Sequence, residues 1–286
     1  MKVVVTGASG FIGRHVLQAL AARSDLGVIA SSRMAMPDST LPSGCRHVRL
    51  DIASACDGSA YDLLGRPDAV IHLAWGGLPN YISLHHFEEQ LPQQYRFLKD
   101  LVDSGLRSLT CIGTCFEYGM RSGALQEDLV TQPANPYGFA KDALRRQLEF
   151  LRARTPFSLT WARLFYTYGA GQAAGSLYPL LQAAIDRGDR SFPMSGGEQL
   201  RDFLPVTEIA RIIAALAVER PGAGVVNVCS GQPVSVRSLV ERWRAERGSG
   251  IELDLGKYPY PDFEPMAFWG SDLRLRSIMS GIGGTP

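Results

Sequence analysis

The chain has 286 residues, 45% of them hydrophobic and 20% charged, a composition typical of a globular protein with one large domain or two interlocked ones. Its formal net charge is +1 and no basic stretch stands out, which argues against a nucleic-acid or polyanion surface. The five cysteines are scattered without zinc-ligand spacing and predict reduced thiols rather than a metal site: Cys45, Cys56, Cys111, Cys115 and Cys229.

The first predicted element is a β-branched strand, residues 3–6, that runs into a glycine-rich turn and an amphipathic helix over residues 11–23. Strand, turn and helix in this order form a dinucleotide-binding fingerprint, here spaced G-x-x-G-x-x-G. The glycines let the backbone turn tightly and bring the helix N-terminus close to a pyrophosphate. We therefore predict that this segment binds the cofactor through Gly7, Ser9, Gly10, Phe11, Ile12 and Gly13.

The second predicted strand, residues 27–31, bears on the choice of cofactor. It runs into Ser31-Ser32-Arg33, where NAD enzymes carry an acidic residue against the ribose 2′-hydroxyl. A guanidinium matches a 2′-phosphate, whereas a carboxylate would repel it. The sequence therefore favours NADPH (NADP⁺) over NAD, with Arg33 as the contact. The alternative is an Arg33 that faces solvent and touches nothing.

The third and fourth predicted strands, residues 47–50 and 69–74, end in further candidate cofactor contacts. Asp51 and Ile52 follow the third strand and are placed to border the adenine. The fourth strand is an almost continuous apolar run, as a buried parallel strand should be. Its carboxyl end should line the cofactor crevice through Leu73, Ala74 and Trp75.

Polar side chains in and after the fourth strand are assigned different roles. His72 lies inside the strand and is predicted to be a core histidine with satisfied hydrogen bonds. Asn80 and Tyr81 lie in the loop at the expected active-site mouth, and we predict that they contact substrate. His85 and His86 are adjacent and should face different directions, which argues against a paired metal site.

Three side chains form the predicted catalytic set. Thr114 ends the fifth strand, residues 106–114, at the edge where open α/β sheets build their sites. Tyr137 and Lys141 are four residues apart at the start of a helix that runs to residue 154, so they share one helical face. An ammonium favours a neighbouring phenolate, which predicts that Lys141 lowers the pKa of Tyr137 from about 10 towards neutrality. Such a phenol can exchange a proton with a substrate oxygen.

Strands and helices alternate as far as a sixth strand, residues 157–165, which predicts a Rossmann-type α/β fold with a doubly wound parallel sheet. We expect residues 1–165 to form an NADP(H)-binding domain, to which a segment near 200–230 returns. Residues 166–286 are expected to form a smaller C-terminal α/β substrate-binding region. No signal peptide precedes the first strand and no apolar run approaches the roughly 20 residues that span a bilayer, so a cytoplasmic protein without membrane contact is expected.

The ordered motifs resemble the extended short-chain dehydrogenase/reductases, the NAD-dependent epimerase/dehydratase family, that act on nucleotide sugars. The resemblance covers nearly the whole chain and rests on Thr6 to Gly13, Thr114, Tyr137 with Lys141, Arg163, Tyr168-Gly169 and Arg201-Asp202-Phe203. It implies an NAD(P)-dependent oxidoreductase in which Tyr137 donates a proton and Lys141 lowers its pKa and holds the nicotinamide ribose. Thr114 would donate a hydrogen bond to the same substrate oxygen.

The segment around Thr114 separates the chemistries of this family. In the 4,6-dehydratases an acid and a base follow the threonine directly, and in the fucose-type epimerase-reductases a base cysteine lies two positions after it. Here those positions hold Cys115 and Phe116, so neither reaction is expected. The chain looks like the 4-ketoreductases of 6-deoxyhexose synthesis, above all those that reduce dTDP-4-dehydro-6-deoxyglucose to dTDP-fucose. The alternatives are a 4-epimerase with tightly bound NAD and a non-catalytic NADP-sensing protein.

The resemblance also implies the contacts to a nucleotide-sugar partner. Arg201 would bind the substrate diphosphate, as a guanidinium suits; the alternative is a surface arginine paired with Asp202. Tyr166 replaces an asparagine that often contacts substrate and is assigned to the substrate site. Relatives dimerise through two long helices, so a homodimer is predicted, although Pro92 interrupts one of them. The nucleotide, the sugar and the stereochemical outcome at C4 are left open.

Overall fold

The computed structural model describes residues 1–54 and 60–281, and Cys56 lies outside the described residues. The strands are β1 (Lys2–Thr6), β2 (Gly27–Ser32), β3 (Arg46–Arg49), β4 (Ala69–His72), β5 (Ser108–Thr114), β6 (Gly123–Leu125), β7 (Ser158–Leu164), β8 (Tyr166–Tyr168), β9 (Ser191–Pro193), β10 (Leu200–Arg201), β11 (Phe203–Pro205), β12 (Gly224–Val228), β13 (Val234–Ser235), β14 (Glu252–Asp254) and β15 (Phe268–Gly270). The helices are α1 (Phe11–Ala21), α2 (Ala60–Leu63), α3 (Leu91–Asp103), α4 (Pro136–Arg154), α5 (Leu177–Arg187), α6 (Val206–Val218), α7 (Val236–Glu246) and α8 (Leu273–Ser280).

Seven of the strands form one parallel sheet in the order β12-β7-β5-β4-β1-β2-β3. The order reverses at β1 and β4, where crossovers leave in opposite directions and open a crevice at the carboxyl ends of the strands. The two central strands are buried on both faces, which explains their apolar sequences. The prediction of a Rossmann-type doubly wound sheet is therefore confirmed.

A hydrophobic core covers each face of this sheet. On one face α1 and α6 pack together through side chains such as Leu20 and Ile213. On the other face α3 and α4 pack through side chains such as Leu101 and Leu148. Both cores leave the carboxyl edge of the sheet uncovered, and the motifs of the sequence converge on that edge.

Short two-stranded sheets extend the fold on the carboxyl side of the large sheet. The pairs are β8 with β11, β10 with β13, β9 with β14, and β6 with β15. Helices α5 and α7 enclose a separate small core around Leu181 and Trp243. Strand β12 belongs to the large sheet, where it pairs with β7. The division of the chain at residue 165 stays a proposal.

The sequence predicts that Pro92 interrupts a long helix, whereas in the structure Pro92 lies at the start of α3. A π-helical turn over His86–Gln90 leads directly into α3, and Pro92 lies in the first turn, where a missing N–H is tolerated. Within the described ranges, no helix combines the length and apolar character that crossing a bilayer needs.

Candidate active site

The glycine turn between β1 and α1 is built for close backbone approach. Gly7 has a φ of 68°, and a Cβ there would lie 2.7 Å from the Ala74 nitrogen. A Cβ on Gly13 would lie 2.3 Å from the Gly7 carbonyl oxygen. Gly10 is the N-cap of α1, and no side chain of residues 1–54 or 60–281 caps the helix, so its first N–H groups are open to an anion. The turn therefore fits a pyrophosphate.

Gly13→Ala is expected to damage this turn. The new methyl group would meet only backbone atoms, the Gly7 oxygen and the Ala8 Cα at 2.8 Å, and these cannot move without opening the turn. We expect a loss of about 1–3 kcal/mol in unfolding free energy, measured by urea denaturation, and about tenfold or more weaker dinucleotide binding. Gly250→Ala is the matched control, because nothing lies within 4 Å of its added Cβ. Wild-type binding and stability in Gly13→Ala would contradict the assignment.

A cavity of about 430 Å³ beside the turn, the glycine-turn cavity, collects the predicted cofactor residues of the first four strands. Its walls include the carboxyl ends of β1, β2 and β4. The predicted residues that line it are Gly7, Ser9, Gly10, Arg33, Asp51, Ile52, Leu73, Ala74 and Trp75. Residues from separate strands thus meet where the adenosine and pyrophosphate of a dinucleotide would lie.

The carboxyl ends of β2 and β3 bring buried serines together with exposed arginines. Ser32 is 5% exposed, and its hydroxyl donates to the Met34 carbonyl at 2.6 Å and lies 2.9 Å from His47 Nε2. Arg33 is exposed at the cavity rim, and its carbonyl accepts a hydrogen bond from Arg49 Nε at 3.2 Å. Arg33 therefore places one guanidinium at this rim, where it could meet an anionic group.

A buried chain of hydrogen bonds fixes the floor of the glycine-turn cavity. His72 Nδ1 accepts from the Thr6 hydroxyl at 2.9 Å, and its Nε2–H donates to Gln94 Oε1 at 2.8 Å. Gln94 Nε2 donates to Gln90 Oε1, which also accepts the Gly76 N–H at 2.9 Å. Burial lowers the pKa of His72 to about 3, so the ring is neutral. The predicted role of His72 as a core histidine is confirmed.

A second cavity of about 400 Å³, the tyrosine cavity, adjoins the first. The two cavities share four lining residues, Gly7, Gly10, Leu73 and Trp75. Further predicted residues that line the tyrosine cavity are Phe11, Ile12, Gly13, Tyr81, Thr114, Tyr137, Lys141 and Tyr166. Of the predicted site residues, Asn80 and Arg201 line neither cavity. The predicted catalytic set thus lies at one end of a continuous crevice, and the residues predicted to contact the adenosine lie at the other.

Tyr137 and Lys141 are both buried, and Trp75 contacts both. Lys141 Nζ donates to the Ile112 carbonyl at 2.9 Å and lies 3.9 Å from the centre of the Trp75 ring. It lies 5.8 Å from the centre of the Tyr137 ring. Burial lowers the pKa of Lys141 to about 8.

The prediction that the pKa of Tyr137 is lowered towards neutrality is wrong. Burial raises it well above its ordinary value, and Tyr81, Glu117 and Cys115 raise it further. Removing water from the phenol disfavours the phenolate, and the ammonium of Lys141 points to a carbonyl and an indole face rather than to the phenol oxygen. The phenol is therefore held in its protonated form, the form that donates.

Thr114 is held by a turn that a buried carboxylate organises. Its hydroxyl accepts the Phe116 N–H at 3.3 Å, an interaction that uses an oxygen lone pair and not the hydroxyl proton. Its own N–H donates to Glu117 Oε1 at 2.9 Å. The same carboxylate accepts from Trp161 Nε1 at 2.9 Å and from Arg163 Nε at 2.7 Å. Glu117 therefore fixes the backbone that presents Thr114.

The residues that follow Thr114 form an apolar wall rather than an acid–base pair. Cys115 is 5% exposed, and burial raises the pKa of its thiol, so it stays protonated. Phe116 lines the tyrosine cavity with its ring centre 5.0 Å from that of Tyr81 and 6.3 Å from that of Phe263. This wall offers the reacting centre no carboxylate and no thiolate.

His85 and His86 depart from the prediction that they face different directions, because their ring centres lie only 4.1 Å apart. The π-helical turn that begins at His86 brings the rings together. His86 accepts from Trp75 Nε1 at 3.1 Å and donates through Nε2–H to the Asn80 carbonyl at 2.7 Å, so it positions Trp75. In the described part of the chain, no cluster of His, Cys, Asp or Glu side chains could hold a metal ion.

Arg201 is not the surface arginine paired with Asp202 that the alternative prediction describes. It is 3% exposed, and its guanidinium donates to Glu264 at 2.9 Å and to the Leu200 and Met266 carbonyls. Asp202 instead accepts hydrogen bonds from Ser230 and the Gly231 N–H. The pairing could not be predicted because Glu264 is far from Arg201 in the sequence.

Several site residues escaped sequence reasoning. Gln90 and Glu117 act through buried hydrogen bonds, and Thr167 and Gln172 line the tyrosine cavity. The only available signals were the position of Glu117 three residues after Thr114 and that of Gln172 just beyond Tyr168-Gly169. Neither signal states what the side chain contacts.

Comparisons with known proteins agree with this geometry. The chain is 29% identical over 272 residues to a dTDP-6-deoxy-L-talose 4-dehydrogenase (NAD(+)) of Aggregatibacter actinomycetemcomitans, with 95% of this chain and 100% of that protein covered. It is 28% identical over 275 residues to a UDP-glucose 4-epimerase of Azospirillum brasilense, with 87% and 78% covered. The solved structure of MoeE5 in complex with UDP-glucuronic acid and NAD superposes with a TM-score of 0.81 at 28% identity, covering 98% of this chain and 93% of MoeE5. The model of the NAD dependent epimerase/dehydratase family matches residues 3–229, and the chain therefore belongs to that family.

Proposed function

We propose that this protein is a nucleotide-sugar oxidoreductase that reduces the C4 keto group of a nucleotide-activated 4-keto-6-deoxyhexose with NADPH. The observation that carries the proposal is the meeting of Tyr137, Lys141 and Thr114 in one cavity that continues into the glycine-turn cavity. The first candidate reaction is dTDP-4-dehydro-6-deoxyglucose to a dTDP-6-deoxyhexose such as dTDP-fucose.

The relatives support the substrate class and the position of the chemistry. The name of the talose relative describes oxidation at C4 of a dTDP-linked 6-deoxyhexose, and the reverse of that reaction is a C4 keto reduction. The bound UDP-glucuronic acid in MoeE5 supports a nucleotide sugar as substrate. The apolar wall of Cys115 and Phe116 supports simple redox chemistry, because dehydration needs an acid and a base there.

Each of the three candidate catalytic residues would have a separate role in the reduction. A nicotinamide dinucleotide, when bound, supplies the hydride that reduces C4. The protonated phenol of Tyr137 gives its proton to the oxygen that becomes the C4 hydroxyl. The hydroxyl proton of Thr114 would stabilise charge on the same oxygen, a contribution of about 3 kcal/mol for one oriented donor. Lys141 would hold the nicotinamide ribose, and its ammonium, 5.8 Å from the centre of the Tyr137 ring, would place a positive charge near the phenolate left by the proton transfer.

The activity should depend on the ionisation of Lys141. Because burial lowers its pKa to about 8, the ammonium is lost above that pH, and kcat/KM for keto reduction should fall there. The phenol of Tyr137 stays protonated in the same range, since burial raises its pKa. A pH–rate profile from about pH 6 to pH 10 tests this, with Lys141→Arg as comparison because a guanidinium keeps its charge. A wild-type profile that is flat above pH 8 would contradict the role of Lys141.

The proposed preference for NADPH rests on Arg33 alone. The relatives give it no support, because their names specify NAD for the talose dehydrogenase and for the MoeE5 complex. We expect Arg33→Ser to weaken NADPH binding by about 10- to 100-fold, the loss of one hydrogen-bonded charge contact, and to leave NADH binding unchanged. Separate fluorescence titrations with NADPH and with NADH measure the two affinities. Arg242→Ser, at an exposed arginine of α7, is the control. If wild type binds NADH more tightly than NADPH, and Arg33→Ser leaves both affinities unchanged, the cofactor assignment is reversed.

The experiment that tests the proposed reaction is NADPH consumption with TDP-, CDP-, GDP- and UDP-linked 4-keto-6-deoxyhexoses. We expect turnover with at least one of them, and characterisation of the product hydroxyl at C4 gives the stereochemical outcome. If the protein consumes NADPH with none of these substrates, it is not a 4-ketoreductase of this class.

A 4-epimerase is the second candidate, favoured by the similarity to the UDP-glucose 4-epimerase. An epimerase first removes a proton from the C4 hydroxyl, so it needs the phenolate that burial of Tyr137 disfavours. Such enzymes keep NAD bound through catalysis. NAD that copurifies with the protein, together with interconversion of C4 epimers, would favour this candidate.

The remaining partner assignments are part of the proposal. Arg201 would bind the substrate diphosphate, which requires its guanidinium to exchange Glu264 for a phosphate oxygen. Asn80 would contact substrate from the rim, because it is exposed in the loop after β4. A homodimer stays a prediction, tested by sedimentation equilibrium.

A further inference from the structure

One wall of the tyrosine cavity is polar, in contrast to the apolar wall of Cys115 and Phe116. It is formed by β8 and the loop after it, and it contains Tyr166, Thr167 and Gln172. The oxygens Thr167 Oγ1 and Gln172 Oε1 are both buried, and within the described part of the chain neither has a hydrogen-bond partner. A buried polar atom without a partner costs about 1–3 kcal/mol, so such atoms in a cavity wall indicate where a ligand supplies the missing bonds.

The loop holds these side chains in one arrangement. Gln172 Nε2 donates to the Thr167 carbonyl at 3.0 Å, so the amide is oriented with its oxygen as the free atom. The Gln172 N–H donates to the Gly169 carbonyl at 3.3 Å. Gly169 has a φ of 144°, and a Cβ there would lie 2.7 Å from Val206 Cγ1, so the loop approaches α6 as only glycine allows.

The chemistry of the two oxygens selects the ligand group. An amide oxygen only accepts, so the partner of Gln172 Oε1 must carry a proton to donate. A phosphate oxygen or a keto oxygen has none to give, whereas a sugar hydroxyl does. The hydroxyl of Thr167 can donate or accept, and Tyr166 adds a donor because burial raises its pKa well above the ordinary value.

We propose that Thr167 and Gln172 form a hydroxyl-binding subsite for the sugar ring of the substrate. The subsite rests on the proposed function, since a nucleotide sugar brings ring hydroxyl groups to this cavity. The nicotinamide half of the cofactor also carries donors, and a Kd for NADP⁺ that rises in the variants would assign the two oxygens to the cofactor instead. It implies that the accepted sugars carry a free hydroxyl on the side facing β8. Sugars deoxygenated on that side are bound more weakly.

The test compares sugar binding with nucleotide binding. Calorimetric titration of wild type in the presence of NADP⁺ with dTDP-, UDP-, GDP- and CDP-glucose identifies the tightest probe, and the matching free nucleoside diphosphate is titrated alongside. Thr167→Val and Gln172→Met should each raise Kd for that sugar nucleotide about tenfold, while Kd for the free diphosphate and for NADP⁺ stays unchanged. The exposed positions Thr40→Val and Gln232→Met are matched controls.

The outcomes separate the subsite from the proposed function. Unchanged sugar-nucleotide binding in both variants overturns the subsite, and so does an equal loss for the free diphosphate, because the wall then contacts the nucleotide. A wild type that binds none of the sugar nucleotides overturns the proposed function itself. Thermal melting shows whether each variant is folded, and the two positions are independent, so one misfolded variant leaves the other as a test.

Discussion

Tyr137→Phe is expected to lower kcat for keto reduction by about 10²–10⁴-fold, the loss that follows from removing a positioned proton donor. The phenylalanine ring keeps the aromatic contacts of the tyrosine, with Trp75 at 6.0 Å and Tyr81 at 5.5 Å between ring centres. The fold and the glycine turn should therefore persist, and NADPH affinity should stay close to that of wild type. Steady-state kinetics and NADPH fluorescence titration measure the two quantities.

The control for this variant is Tyr258→Phe, at a tyrosine that is 57% exposed. It removes the same hydroxyl group from a position outside both cavities and should leave kcat unchanged. A Tyr137→Phe enzyme that turns over at the wild-type rate would show that another group donates the proton. Loss of NADPH binding in the variant would show instead that the phenol is needed to bind the cofactor.

Glu117→Gln is expected to lower the unfolding free energy by about 3–5 kcal/mol, the cost of breaking a buried ion pair from one side. The Glu117 side chain is fully buried, and that of Arg163 is 2% exposed, so the guanidinium would remain charged without its partner. The turn that presents Thr114 should loosen as well, since Glu117 accepts the Thr114 N–H. Urea denaturation measures the change in unfolding free energy, and a lower kcat would show that Thr114 has been displaced.

Glu208→Gln is the matched control, because Glu208 also pairs with an arginine, Arg211, but on the surface. Exposed pairs contribute about 0–1 kcal/mol, so this variant should melt like wild type. If Glu117→Gln costs no more than Glu208→Gln, the buried carboxylate does not hold the turn, and the position of Thr114 must have another cause.

Local patterns in the sequence predicted the elements that form the candidate active site. The glycine turn could be assigned because the positions that must lack a side chain lie close together in the sequence. The structure shows the reason, since backbone atoms occupy the space where a Cβ at Gly7 or Gly13 would lie. Tyr137 and Lys141 could be paired because a helix fixes which residues share a face. Thr114 could be joined to them because parallel strands end on one edge of the sheet.

Burial and distant contacts could not be predicted in the same way. Placing a lysine next to a tyrosine suggested a lowered phenol pKa, yet burial raises it. The partner of Arg201 is Glu264, and the partner of Arg163 is Glu117, each far away in the chain. Among the described residues, Thr167 Oγ1 and Gln172 Oε1 have no hydrogen-bond partner, which follows from how β8 and the loop after it pack rather than from any regular sequence pattern.

The sequence by itself determined the sheet and the glycine turn, and it predicted the candidate catalytic side chains Thr114, Tyr137 and Lys141; its family resemblance implied that no dehydratase acid and base follow Thr114. These follow from spacing along the chain, which is local information. Only the tertiary structure decided that Tyr137 is held protonated, that Glu117 supports Thr114, and that one cavity has both a polar and an apolar wall. Those properties depend on desolvation and on partners from distant segments, and both exist only after the chain has packed.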